Sequence, residues 1–252
     1  MKNKTVNLSI KRIKKRVVNF LKEKADREKA RSVQRFFPEP ISCFGVRLPE
    51  VRKFCRYLCR ETGPSLSEGI IISLTEYLLA EKELESRMAG LFLLSERANE
   101  LKPEVLNVFE RWLSQGYLDN WALLDTFSLE IISPVLLNYP EILETIKAWT
   151  TSESIYFKRA GLVALIKQVR KNGQARLLLE IVRQAMNRPP VTEELVAKAA
   201  GWLLREIGKK APAELERFLV KYGGSFPRVT IRYAVEKFAP EKRKYLLSIT
   251  KN

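Results

Sequence analysis

The chain has 252 residues, 46% hydrophobic and 29% charged, with mean hydropathy −0.19, a profile that gives a globular protein with ample length for a core. Its 45 Lys and Arg against 29 Asp and Glu leave a net charge of +16, which favours a nucleic acid or an anionic membrane surface as partner. There is no histidine, so Ser-His triads, histidine general bases and His-ligated metals are excluded, and carboxylates, Lys, Tyr or Cys remain for proton work.

Taken in order, the chain reads as helical nearly throughout, with helices expected over about 6–32, 48–61, 66–80, 82–98, 103–114, 119–132, 140–149, 154–170, 174–187, 192–208, 212–222, 227–238 and 241–250. The N-terminal stretch to Lys22 carries eight Lys or Arg before the first acid, Glu23. Its apolar positions Val6, Leu8, Ile10, Ile13, Val17, Phe20 and Leu21 fit an amphipathic basic helix, and it has no apolar run of signal-peptide length. Nothing downstream reaches the length of a membrane span. Cys43, Cys55 and Cys59 fall short of a four-ligand zinc site and fit free thiols in a reducing cytosol. Pro49, Pro103 and Pro212 stand where a first helical turn accepts proline. Breaks are expected at Thr62-Gly-Pro64, Gly116, Tyr139-Pro140, Asn172-Gly173, Arg188-Pro-Pro190 and Gly223-Gly224.

Helices of this length on short turns, paired at roughly 35–45 residues, match an all-α superhelix of HEAT-like helical repeats. An irregular bundle is the alternative, because exact self-similarity is weak. No linker divides the chain, so residues 1–252 read as one domain, with 1–46 as a possible N-terminal helical cap.

The stretch Gly116 to Phe127 sets Trp121 and Asp125 four residues apart, on one face of a helix. An aromatic face beside a fixed negative charge suits a cation, and the basic remainder of the chain suggests a cation embedded in a polyanion. Farther on, Lys158 and Arg159 sit near the start of an apolar helix, where amides and side chains can grip phosphate. Ala197, Ala200 and Gly201 permit close helix approach beside Trp202, with Arg205 one turn away. Arg228 and Arg232, at i, i+4, form a basic edge. Each also has an ordinary reading: a core anchor for Trp202, a structural acceptor for Asp125, solvated charge for the arginines.

These stretches, in order, resemble the DNA alkylation repair glycosylases of AlkD type. The matching segments are Phe44 to Arg52, Trp121 to Asp125, Tyr156 to Ala160, Lys198 to Trp202 with Leu204 to Glu206, and Arg228 to Lys237. The resemblance implies a HEAT-like fold and excision of purines made cationic by alkylation at a ring nitrogen. It implies that Asp125 stabilises the developing sugar cation, that Trp121 and Trp202 form the aromatic cleft, and that Arg159 holds the backbone. Lys158, Lys198, Arg205, Arg228, Arg232 and Arg47 are then expected on the DNA. The expectation includes double-stranded DNA as partner, no cofactor, no metal, no membrane, a monomer and a cytoplasmic location. Two alternatives stay open: a non-catalytic member binding distorted or branched DNA, and a helical-repeat scaffold for RNA or protein.

Overall fold

A computed structural model describes residues 2–63, 67–172 and 174–250, without the side chains of 2–9 and 170–172. The side chains of Val6 and Leu8, and Pro64 and Gly173 of the expected breaks, therefore lie outside what is described. Every regular element among the described residues is helical, and neighbouring helices stack in the helical-repeat manner that the sequence leads one to expect. The chain forms two compact units, residues 1–127 and 128–252.

The first unit holds α1 (Lys2–Glu23), α2 (Arg27–Val33), α3 (Leu48–Thr62), α4 (Glu68–Leu79), α5 (Leu84–Ser95), α6 (Val105–Ser114) and α7 (Trp121–Phe127). The continuous helix expected over 6–32 is in fact two. The first ends at Glu23 and Asp26 caps the second, its Oδ1 accepting from the amides of Glu28 and Lys29 at 3.0 Å each; an N-cap carboxylate satisfies donors that the helix cannot. Ile10, Ile13, Val17 and Leu21 are buried as the amphipathic pattern requires, and α1 packs on α3, α4 and α5. The helix α5 is the centre of this unit, in contact with α1, α3, α4 and α7.

The segment before α3 hangs from one buried carboxylate. Glu85, in the first turn of α5, accepts from the amides of Phe44 (2.9 Å), Gly45 (2.7 Å) and Val46 (3.0 Å). Gly45 has φ +82, and a Cβ there would stand 2.1 Å from the carbonyl oxygen of Asp26, so only glycine fits.

The second unit opens on a π-helical turn, Ser128–Ile132, followed by α8 (Ser133–Asn138), α9 (Leu143–Thr150), α10 (Ile155–Ala164), α11 (Ile166–Asn172), α12 (Ala175–Met186), α13 (Glu194–Lys210), α14 (Pro212–Tyr222), α15 (Arg228–Ala234) and α16 (Pro240–Ile249). The expected helix 154–170 is two helices meeting at Leu165, and Pro103 precedes α6 instead of opening it. Within this unit α10, α13 and α15 pack in a row, with α9, α12 and α14 against them. Gly201 marks a close crossing: a Cβ there would lie 2.6 Å from Tyr233 Cβ and 2.7 Å from the Thr230 carbonyl oxygen. The expected small-residue contact of α13 is therefore real, and its partner is α15.

Candidate functional site

In the first unit, a chain of polar contacts fixes the start of α7. Arg87, buried on α5, donates to the carbonyl of Tyr117 (2.9 Å) and to Asp119 (2.8 Å). Asp119 accepts in turn from the side-chain amide of Asn120 at 2.9 Å. With its nitrogen so held, Asn120 turns its Oδ1 to the amides of Ala122 (3.1 Å) and Leu123 (3.2 Å) and caps the helix. Leu123, Leu124 and Phe127 point into the core, where Phe127 packs against Phe109 and Trp112. Trp121 and Asp125 take the other edge of α7, and both are half-buried.

Trp121 is pinned from far away in the sequence. Its indole nitrogen donates to the carbonyl of Phe36 at 3.1 Å, and the Phe37 ring stacks on it at 5.3 Å and 18°. The Gln34 side chain fastens this segment by donating to the carbonyls of Phe37 (3.2 Å) and Glu39 (2.9 Å) and accepting from the amide of Ile41 (2.9 Å). Arg47, just ahead of α3, is exposed.

In the second unit the basic residues differ from one another in what they offer. Lys158 and Arg159 are buried, contrary to the solvent-facing phosphate grip expected of them. Lys158 donates to the carbonyls of Arg188 and Pro189, the latter at 3.2 Å, at the turn ahead of α13. Burial, reinforced by the Arg188 charge, brings its ammonium down to about 8. Arg159 donates to the carbonyl of Leu195 in the first turn of α13. Lys198 pairs with Glu194 at 2.7 Å, and Arg205 is half-buried between Glu236 and Glu206. The flanking cations Lys237 and Arg205 hold Glu236 ionised, at about 2. Arg228 is exposed yet donates to the Leu247 carbonyl (2.7 Å) near the C-terminal end of α16, a position that also suits its charge. Arg232 is exposed, with no ion pair among the described residues. Trp202 follows the Gly201 crossing and is half-buried.

Within each unit the candidate residues are thus accounted for one by one, Trp121, Asp125 and Arg47 in the first and the remainder in the second. Sequence reasoning missed Arg87, Asp119, Asn120 and Phe37. A signal for Arg87 was there: Arg87-Met-Ala-Gly90, Lys158-Arg-Ala-Gly161 and Lys198-Ala-Ala-Gly201 repeat one pattern, a cation three residues before a glycine. In the first two, that cation is buried and donates to backbone carbonyls of the turn ahead of a later helix, α7 or α13. The cysteines are unbridged; burial pushes Cys59 up to about 11 and Cys55 higher still, which makes them poor nucleophiles at neutral pH. The described residues hold no cluster of three metal-ligating side chains and no helix long and apolar enough to cross a membrane.

Comparison with known proteins adds the family. A comparison with curated proteins finds no match. A solved structure, that of a predicted DNA alkylation repair enzyme from Enterococcus faecalis, is similar in fold, with a TM-score of 0.72 at 18% identity over 86% of this chain and 98% of that one. The family profile described as DNA alkylation repair enzyme matches residues 17–238. With nearly the whole chain covered, this protein belongs to the DNA alkylation repair enzyme family.

Proposed function

We propose that this member of the DNA alkylation repair enzyme family is a glycosylase that excises purines carrying a ring-nitrogen alkyl group from duplex DNA. The observation that carries the reading is Trp121 and Asp125, one turn apart on a capped helix, both half-buried, in a chain of charge +16.

Alkylation at a ring nitrogen makes the purine a cation and a good leaving group, so little general acid is needed. The glycosidic bond breaks with its electron pair going to the base, whose charge is thereby neutralised. Positive charge appears on the sugar, as in other glycoside hydrolyses. Asp125, fixed on α7, lowers the energy of that charge without reorganising. Water adds to the anomeric carbon, and its proton leaves to Asp125 or to solvent. The Trp121 face attracts the cationic base or sugar, and Trp202, in the second unit, offers the DNA an aromatic surface of its own. Arg47, Arg228 and Arg232, which are exposed, neutralise phosphates, with Lys198 and Arg205 acting only by leaving their carboxylate partners. Arg159 acts by holding the first turn of α13. The chain works as a cytoplasmic monomer, with neither metal nor cofactor in this mechanism.

The test is release of base from methylated duplex by wild type and by Asp125→Asn. The variant is expected to lose at least a hundredfold in rate, the scale on which one preorganised charge-stabilising group acts. Equal rates would remove Asp125 from the mechanism. The non-catalytic reading draws on the Phe37 ring covering part of Trp121; it requires salt-sensitive duplex binding with no base release by the wild type.

A further inference from the structure

We infer that Phe36 is a nucleobase-contacting wedge, an outward aromatic side chain that stacks into duplex DNA beside the lesion. The inference rests on duplex DNA being the substrate, as proposed above, and it does not require that a base be excised. Phe36 is 67% exposed, the highest value among the exposed large apolar side chains of the described residues. One aromatic ring in water is unremarkable alone; here it stands on a backbone that is held rigid from both sides.

Its own carbonyl accepts the Trp121 indole N–H at 3.1 Å, and the next residue, Phe37, stacks on that indole. The preceding residue but one, Gln34, ties the turn to the carbonyls of Phe37 and Glu39. The turn is therefore tied to Trp121, and among the side chains it leaves outside, with Arg35, Pro38, Glu39 and Pro40, Phe36 alone is an aromatic ring. Little conformational freedom remains to be lost when that ring meets a base. The segment also keeps a small positive excess, with Arg27, Arg31 and Arg35 exposed against Glu28 and Glu39, while Lys29 pairs with Asp26. Apolar wedges on basic surfaces separate base steps in duplex DNA, and stacking of a base on an aromatic ring is indifferent to sequence.

The experiment uses a duplex with a non-hydrolysable abasic analogue flanked by 2-aminopurine, whose fluorescence rises on unstacking. Wild type is expected to raise the fluorescence on binding. Phe36→Ala should bind on the order of tenfold more weakly and give no rise, whereas Phe36→Trp should keep both. The thermal midpoint of Phe36→Ala should match wild type, because the ring is outside the core and the backbone carbonyl that holds Trp121 is retained. Wild-type-like binding and fluorescence by Phe36→Ala would overturn the wedge. A wild type that binds duplex but releases no base removes the excision reading and leaves the wedge standing. A wild type that binds no duplex overturns both.

Discussion

Lys158 shows how a single residue can belie its sequence context. It lies in a basic pair at a helix start, and its ammonium is nonetheless buried against the Arg188 and Pro189 carbonyls. Its value of about 8 lies below the ordinary 10.5. Between these two pH values the unfolded chain keeps a proton that the folded chain has lost. Stability therefore rises with pH across that window, and below about 8 the burial of charge is simply a cost. The stability of wild type minus that of Lys158→Met, measured by urea unfolding, should increase between pH 8 and pH 10.5. A difference independent of pH would mean that the amine is not buried as charged. The inward turn was illegible in the sequence because its cause, two carbonyls at a proline turn, lies thirty residues downstream.

Elements were more legible than their joints. Amphipathic spacing is a local property, so nearly every helix was found, and Gly201 announced a close crossing. The division at Asp26, the break at Leu165 and the π turn after Phe127 arise from caps and packing that no local window contains. The candidate site was legible as residue types, Trp121 and Asp125, while its support from Arg87, Asp119, Asn120 and Phe37 comes from distant segments. Two substitutions follow at this scale. Gly201→Ala drives a methyl group into Tyr233 and Thr230 and should cost about 1–3 kcal/mol in chemical unfolding; an unchanged midpoint would show that α13 and α15 are not packed so tightly. Asn120→Ala should cost about 1 kcal/mol as a lost cap, and it should speed hydrogen exchange at the Ala122 and Leu123 amides. Asn120→Asp, which keeps a cap, should restore protection; protection untouched in Asn120→Ala would show that Asn120 does not hold the helix.

At the scale of the molecule, the excess of sixteen positive charges predicts duplex affinity that falls steeply with salt, with a log–log slope of roughly −0.9 per phosphate neutralised. Not every cation should count equally. Arg232 has no carboxylate partner among the described residues, whereas Lys198 faces Glu194 at 2.7 Å and gains less from a phosphate. Arg232→Ala should therefore reduce the salt slope by about one, and Lys198→Ala should change it less. Equal changes in a titration from low to moderate salt would show that surface pairing does not ration the charge.

The bond from the Trp121 indole to the Phe36 carbonyl limits what this protein can tell apart. Indole has one polar hydrogen, and here it is already engaged. The ring can therefore attract only through its π-electrons, which respond to positive charge and ignore the pattern of acceptors on a base edge. Uncharged lesions such as uracil or hypoxanthine can stack at such a surface but gain none of the cation–π attraction open to a cationic purine. An assay pairing one of them with a methylated purine in the same sequence should find the neutral base left in place.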